Sequence, residues 1–210
     1  YAFHLRDNTW SDGTPVTAGD FVYAWRRGVD PAVGSKYSFF LYPVKNAKEI
    51  VEGKQPLDAL GVSAPDDKTL VVELNNPTPY FTGLLINAVT YPVPRHIVEK
   101  YGKEWTRAEH IAGNGAYKMR EWKPQSRIVL EKSPDYYGAA QVALDKVIYY
   151  VSEDKNAELQ RYRAGELDWT ADVPNDQIKW LQENLSDELH IYNYLGTFYF
   201  GYNLTKPPFK

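Results

Sequence analysis

Four histidines, His4, His96, His110 and His190, are the side chains best suited to proton transfer or metal ligation near neutral pH. Their spacing serves neither purpose, because no His-x-x-x-His pair exists to start a zinc site, so each reads as a surface residue. The chain has no cysteine, which removes thiolate nucleophiles, cysteine zinc ligands and disulfides together. Gly113-Asn114-Gly115 carries part of a phosphate-loop pattern, but it lacks the third glycine and precedes a strand pattern where a helix would be needed. It reads as a turn. No Gly-x-Ser-x-Gly elbow occurs, and no serine stands beside a histidine in a recognisable order. Carboxylates are common, yet no pattern selects two of them as an acid and base pair. No catalytic residue, no metal and no cofactor is therefore expected, and the chemistry left to the chain is binding.

Its composition suits that role. Tyrosine accounts for 17 residues against 8 Phe and 6 Trp, and a tyrosine ring gives broad contact area while its hydroxyl still reaches water or backbone, as the wall of a wet cleft requires. Ordinary packing in sheets explains many of these rings equally well. Lys plus Arg number 24 against 27 acidic residues, for a net charge of −3 with no dense basic block, so nucleic-acid binding loses its electrostatic basis. No apolar run approaches the roughly 18 residues of a membrane span, and the opening YAFHLRD lacks the cationic start and apolar core of a signal peptide. The chain reads as soluble. With 210 residues, 43% of them hydrophobic, it is long enough for a substantial core in one or two domains.

The elements that must position any site alternate between strand and helix. Tyr1, Phe3 and Leu5 alternate with Ala2, His4 and Arg6, so the chain opens inside a strand. Ser11, Asp12 and Gly13 form a turn, Pro15 stiffens the approach, and Thr17 with Asp20 makes a capping box for a helix ending near Arg27, with Phe21, Val22 and Trp25 on one face. Asp30 to Ser35 is a loop leading to the rings of Tyr37, Phe39, Phe40 and Tyr42. Asn46 to Gly53 predicts a helix stopped at glycine, and Lys68 to Leu74 a strand with Leu70 and Val72 on one face. Prolines 77, 79, 92 and 94 bracket a short helix over Tyr80 to Asn87 and precede another over Arg95 to Tyr101. Beyond Gly115 the pattern predicts a strand, a polar turn at Lys123 to Ser126, and a return strand over Arg127 to Glu131. An apolar strand over Lys146 to Ser152 and a helix over Glu153 to Ala164 follow. A further strand through Asp168, then two strand-like runs hinged at Gly196 within Leu189 to Asn203, complete the expectation.

Several of these segments stand in a specific pattern. WSDGTPVTAGDFVYAW over Trp10–Trp25, the P-x-P-Y-F and Y-P-V-P stretches, N-G-A-Y with Trp122, Pro134 and Tyr136, and Arg161-Tyr162-x-x-Gly165-Glu166-x-Asp168 closely resemble the signatures of the family 5 extracytoplasmic solute-binding proteins, the peptide receptors of ABC importers. The resemblance covers essentially the whole chain and implies an α/β, periplasmic-binding-protein type II-like fold in its peptide-binding cluster. It implies a small α+β lobe over residues 1–95, a segment of the main ligand lobe over 96–195 and the start of a further lobe over 196–210, all internal to a receptor more than twice as long. It further implies short peptides as ligand, an ABC permease as membrane partner, a monomer, and a periplasmic or otherwise extracytoplasmic location. Hinge closure of the lobes on the peptide is the implied mechanism. By the same resemblance Tyr37 faces the cleft, Asp172 with Thr170, Ala171 and Val173 forms a polar cleft loop, and Tyr199, with Thr197 on its strand face, contacts the ligand. Alternation sends Phe198 and Phe200 to the other face. The alternative for Asp172 is an exposed cap before Pro174, and for Tyr37 simple packing. Gly201 departs from family members with an acidic residue near that position, which puts a preference for basic peptides in doubt, and the anchors for peptide termini fall in regions that this sequence lacks. Other cargo, namely murein peptides, dipeptides, metal chelates or sugar-derived ligands, remains open within the family. A hydrolase would instead require carboxylates, or a nucleophile and base, converging in one cleft.

Overall fold

The alternation of Tyr1, Phe3 and Leu5 does produce a strand, β1 (Ala2–His4), and its partner is β3 (Thr69–Val72), with Phe3 opposite Leu70. A computed structural model describes all 210 residues and divides them into two compact units, Tyr1–Val151 and Ser152–Lys210.

The first unit is organised by α1 (Ala18–Val29). Its start follows the predicted box in a modified form: Asp20, buried in the first turn, accepts from the Thr17 amide at 2.9 Å and from the Thr17 hydroxyl at 3.2 Å. The same carboxylate oxygen accepts from the Trp10 indole N–H at 3.4 Å, so one buried charge fixes both the helix end and the preceding loop. Arg26 and Arg27 lie in the last turn, where the helix dipole favours cations. Trp25 is buried, donates its indole N–H to the Thr90 carbonyl at 2.8 Å and meets Phe81 edge to face at 6.4 Å. Around it pack Val29, Leu41, Val44, Ile50, Leu70 and Val72.

The remaining elements of this core are short: α2 (Ala47–Val51), β2 (Val62–Asp66), α3 (Phe81–Leu84) and α4 (Arg95–Tyr101). Prolines set α4 as expected, since Pro94 is its N-cap residue. The first sheet is antiparallel in the order β1-β3-β2, and the register of β2 shifts between Ser63 and Asp66, where Pro65 has no N–H to give. Gly61 lies just before β2, its amide donating to the Lys45 carbonyl and its carbonyl accepting from the Glu73 amide. A Cβ there would stand 2.6 Å from the Lys45 Cβ and 2.9 Å from the Glu73 carbonyl oxygen, so only glycine lets these segments approach. A second apolar cluster joins Trp10 and Val16 to Ile97 and Ala112. Ser11 and Gly113 bond each other twice, amide to carbonyl at 2.7 Å and amide to hydroxyl at 3.3 Å.

The predicted hairpin is present as β4 (Tyr117–Lys123) and β5 (Arg127–Lys132), with Gln125 in the left-handed region of its turn at φ 57°. A third strand, β6 (Lys146–Tyr150), completes an antiparallel sheet of order β4-β5-β6. Cross-strand partners share a face. One face therefore carries Met119, Trp122, Ile128, Leu130, Val147 and Tyr149, and the other carries Lys118, Glu121, Arg127, Glu131 and Lys146 among a few apolar residues. On the charged face Arg127 pairs with Glu121 at 2.7 Å.

In the second unit α5 (Lys155–Arg163) starts at Asp154, whose carboxylate accepts from the amides of Asn156 and Ala157, and stops before Gly165 at φ +75°. A further helix, α6 (Ile178–Asn184), had no counterpart in the expectation. Leu159 and Leu181 are buried, and the Arg163 guanidinium lies 4.4 Å over the Trp180 ring. The strand expected through Asp168 and the two expected within Leu189 to Asn203 do not form. The composition of the latter run favours extension, but a strand exists only where a neighbour takes its backbone groups, and between residues 190 and 202 the one backbone bond is from Gly196 to Tyr194.

Candidate ligand-binding surface

Tyr37 closes the loop after Asp30-Pro31 and leads into a short 3-10 turn, Ser38–Leu41. Ser38 and Leu41 turn inward and are buried, which leaves Tyr37 and Phe39 outward, each more than half exposed. Tyr37, Phe39 and Phe40 form a tilted ring cluster with centroids 4.6 to 6.3 Å apart. The hydroxyl of Tyr37 makes no protein hydrogen bond, so ring and hydroxyl are both available to a partner.

The other expected residues belong to the second unit. Asp172 lies in an irregular loop with Thr170, Ala171 and Val173, and its carboxylate pairs with Lys155 at 3.2 Å. Both side chains are more than half exposed, so the pair is screened and Asp172 stays open to an ammonium or amide donor. Buried Pro174 ends the loop and precedes the turn Asn175–Gln177, which leads into α6. Trp169, beside Thr170, is 71% exposed and is not among the expected residues, although a tryptophan in a polar loop is itself a signal. Thr197 and Tyr199 lie in the unpaired run, Tyr199 at 79% exposure, and no hydrogen bond or ring contact joins them to residues 170–173. Phe198 and Phe200 meet edge to face at 5.3 Å.

Charge elsewhere is arranged for structure. No group of three or more His, Asp or Glu side chains is placed to hold a metal. His96 Nε2 lies 2.6 Å from Asp12, which also accepts from the Thr14 hydroxyl at 2.7 Å and the Thr14 amide at 3.0 Å. Burial works against the Asp12 charge, yet the hydrogen bonds from His96 and Thr14 outweigh it and hold the carboxyl below its ordinary pKa. Hydrogen bonding to Glu188 raises the Tyr162 hydroxyl above its ordinary value.

Exposed rings and a half-screened carboxylate are what these elements present at their surface, and comparison with known proteins identifies the class. Residues 1–210 match the model of the bacterial extracellular solute-binding proteins, family 5 (middle part), and the chain belongs to this family. Over the whole chain it is 45% identical to the periplasmic oligopeptide-binding protein OppA of Escherichia coli and 41% identical to the probable deoxycholate-binding periplasmic protein YgiS of the same organism, covering 39% and 40% of them. The chain thus spans about two fifths of the length of these relatives. Its fold is that of the corresponding part of such receptors: the structure of Haemophilus influenzae OppA in complex with RPPGFSPFR matches over 99% of this chain and 41% of that one, at 39% identity and a TM-score of 0.94.

Proposed function

We propose that this chain is part of a peptide receptor of an ABC importer, one that captures short peptides in a cleft between lobes and hands them to a membrane permease. The observation that carries this reading is the likeness, over nearly the whole chain, to a relative whose structure holds a nonapeptide. Chemistry agrees with it: a peptide offers an ammonium, a carboxylate and a row of backbone groups, which aromatic walls, a carboxylate and bridging water can hold with little regard to side chains. In this reading Tyr37, the loop Thr170-Ala171-Asp172-Val173, and Thr197 with Tyr199 contribute to the cleft. Residues 1–95 make the body of the small lobe, with Ile97 and Ala112 packed against Trp10 and Val16 on that side. Residues 96–195 serve the main ligand lobe and 196–210 open the next. The receptor works outside the cytoplasmic membrane as a monomer and breaks no bond, with binding energy spent on lobe closure. No helix of the chain is long and apolar enough to cross a membrane.

A second cargo is favoured by one specific observation, the 41% identity to a probable deoxycholate-binding relative, which is nearly as high as that to OppA. Native mass spectrometry of the full-length receptor as purified from cells, with sequencing of what denaturation releases, separates the two. A ladder of short heterogeneous peptides is the expected result. A single non-peptide mass transfers the assignment to other cargo, and turnover of added substrates in place of bound ligand overturns the receptor reading.

A further inference from the structure

The first unit has a concavity of about 370 Å³ that shares no residue with the proposed peptide surface. It lies where α1, β2 and the start of α4 meet. Gly19, Val22, Val62 and Ala64 give it an apolar wall, and Arg26 and Arg95 bring the only charges to its lining. No acidic residue lines it. Arg95 is placed with its guanidinium 5.7 Å from the centroid of Tyr23, another lining residue, and engages Glu99 through Nε at 2.7 Å, an exposed i,i+4 pair in which its terminal nitrogens make no hydrogen bond to a protein carboxylate. Arg26 is different. Its Nε is buried and has no hydrogen-bond partner, and its one protein hydrogen bond is a marginal 3.5 Å from Nη2 to the Asp58 carbonyl.

A guanidinium is a fork of five donors that matches a carboxylate in two-point geometry, and a buried donor left unpaired is costly and rare. Here such a donor borders a cavity that has two positive charges, no negative one, and a volume in the range of small-molecule sites. We propose that this cavity is a second binding site, for a small amphipathic carboxylate whose acid group is held by Arg26 and Arg95 and whose apolar body lies against Val22 and Val62. A modest turn of the Arg26 side chain toward the carboxylate brings its Nε and Nη edge out of the wall and satisfies the orphan donor. Tyr23 adds a ring face to an aromatic or aliphatic body, and the absence of a side chain at Gly19 keeps the helix wall open.

Isothermal titration of the full-length receptor with 4-phenylbutyrate tests the site, with the neutral 4-phenylbutanol as control and peptide affinity measured on the same samples. The expected result is saturable one-to-one binding with at least tenfold preference for the acid. Arg26→Gln should weaken it by about tenfold or more, the size expected for one charge-assisted contact. Ala64→Phe, at an exposed strand position, should abolish it by filling the cavity, and both variants should keep the peptide affinity of the parent. Absence of saturable binding where a Kd of about 1 mM is measurable overturns the proposal. So does competition between 4-phenylbutyrate and peptide, equal binding of acid and alcohol, or unchanged binding in a folded Ala64→Phe variant. Because peptide affinity is read separately, none of these failures touches the receptor assignment.

Discussion

The sheets β1-β3-β2 and β4-β5-β6 have the same number of strands and the same antiparallel sense, yet Val62, Leu70 and Val72 are buried in the first while every strand residue of the second keeps solvent exposure. The difference is not one of pattern, because the second sheet has an apolar stripe in Met119, Trp122, Ile128, Leu130, Val147 and Tyr149, with Lys132 at its end. It is one of cover. Helix α1 packs on β2 and β3 and brings Trp25 and Val29 to their inner face, whereas no helix of the first unit packs on β4 to β6. Alternation of residues makes a sheet, and only a second layer makes a core.

Breaking the covered side should therefore cost most. Trp25→Ala removes the largest buried side chain of the first core, its bond to Thr90 and its contact with Phe81, and should destabilise the chain by about 3–5 kcal/mol, read as the loss in urea unfolding free energy.

A pH titration probes the same unit more gently, through the Asp12 cluster. The folded pKa of Asp12 lies below its unfolded value, so the folded state binds fewer protons there. Its stabilisation is complete above the unfolded pKa, near 4, and is lost as pH falls through the folded value. Unfolding midpoints followed downward from pH 5 should show this loss in the parent, and His96→Phe should flatten the Asp12 contribution because the principal hydrogen bond is gone. An equal slope in both would remove Asp12 from the account. Least of all should come from the uncovered side: Tyr149→Thr, on the apolar stripe of the edge strand and half exposed, should shift stability by less than about 0.5 kcal/mol in this chain. A loss near 2 kcal/mol would mean that this sheet is covered after all, and the comparison would need revision.

What could be read in advance follows the same line between local and distant causes. Thr17 and Asp20 announce α1, Pro94 announces α4, and the polar turn at 123–126 announces the hairpin, because each signal lies within a few residues of its effect. Strand β2 has no local signal, since Ser63-Ala64-Pro65-Asp66 has neither alternation nor β-branched residues and pairs only because β3 is beside it. The runs around Asp168 and within 189–203 failed in the opposite way, with strand-like composition and no partner. The candidate surface rests on motif and resemblance alone. Tyr37 and Tyr199 are exposed, while Lys155 as the partner of Asp172 and the exposure of Trp169 depend on how the loop folds.

Gly61 shows what such distant causes mean for the history of the sequence. Its surroundings, Lys45 and Glu73, are solvent-facing residues joined by an ion pair at 2.8 Å, and either can drift through many substitutions. The glycine between them cannot, because the obstacle is the Lys45 Cβ and a backbone oxygen that nearly every residue type presents. A lineage is thus free to rewrite both flanks of this crossing but not its centre, and the constraint arises from backbone approach alone, at a place that faces partly to water.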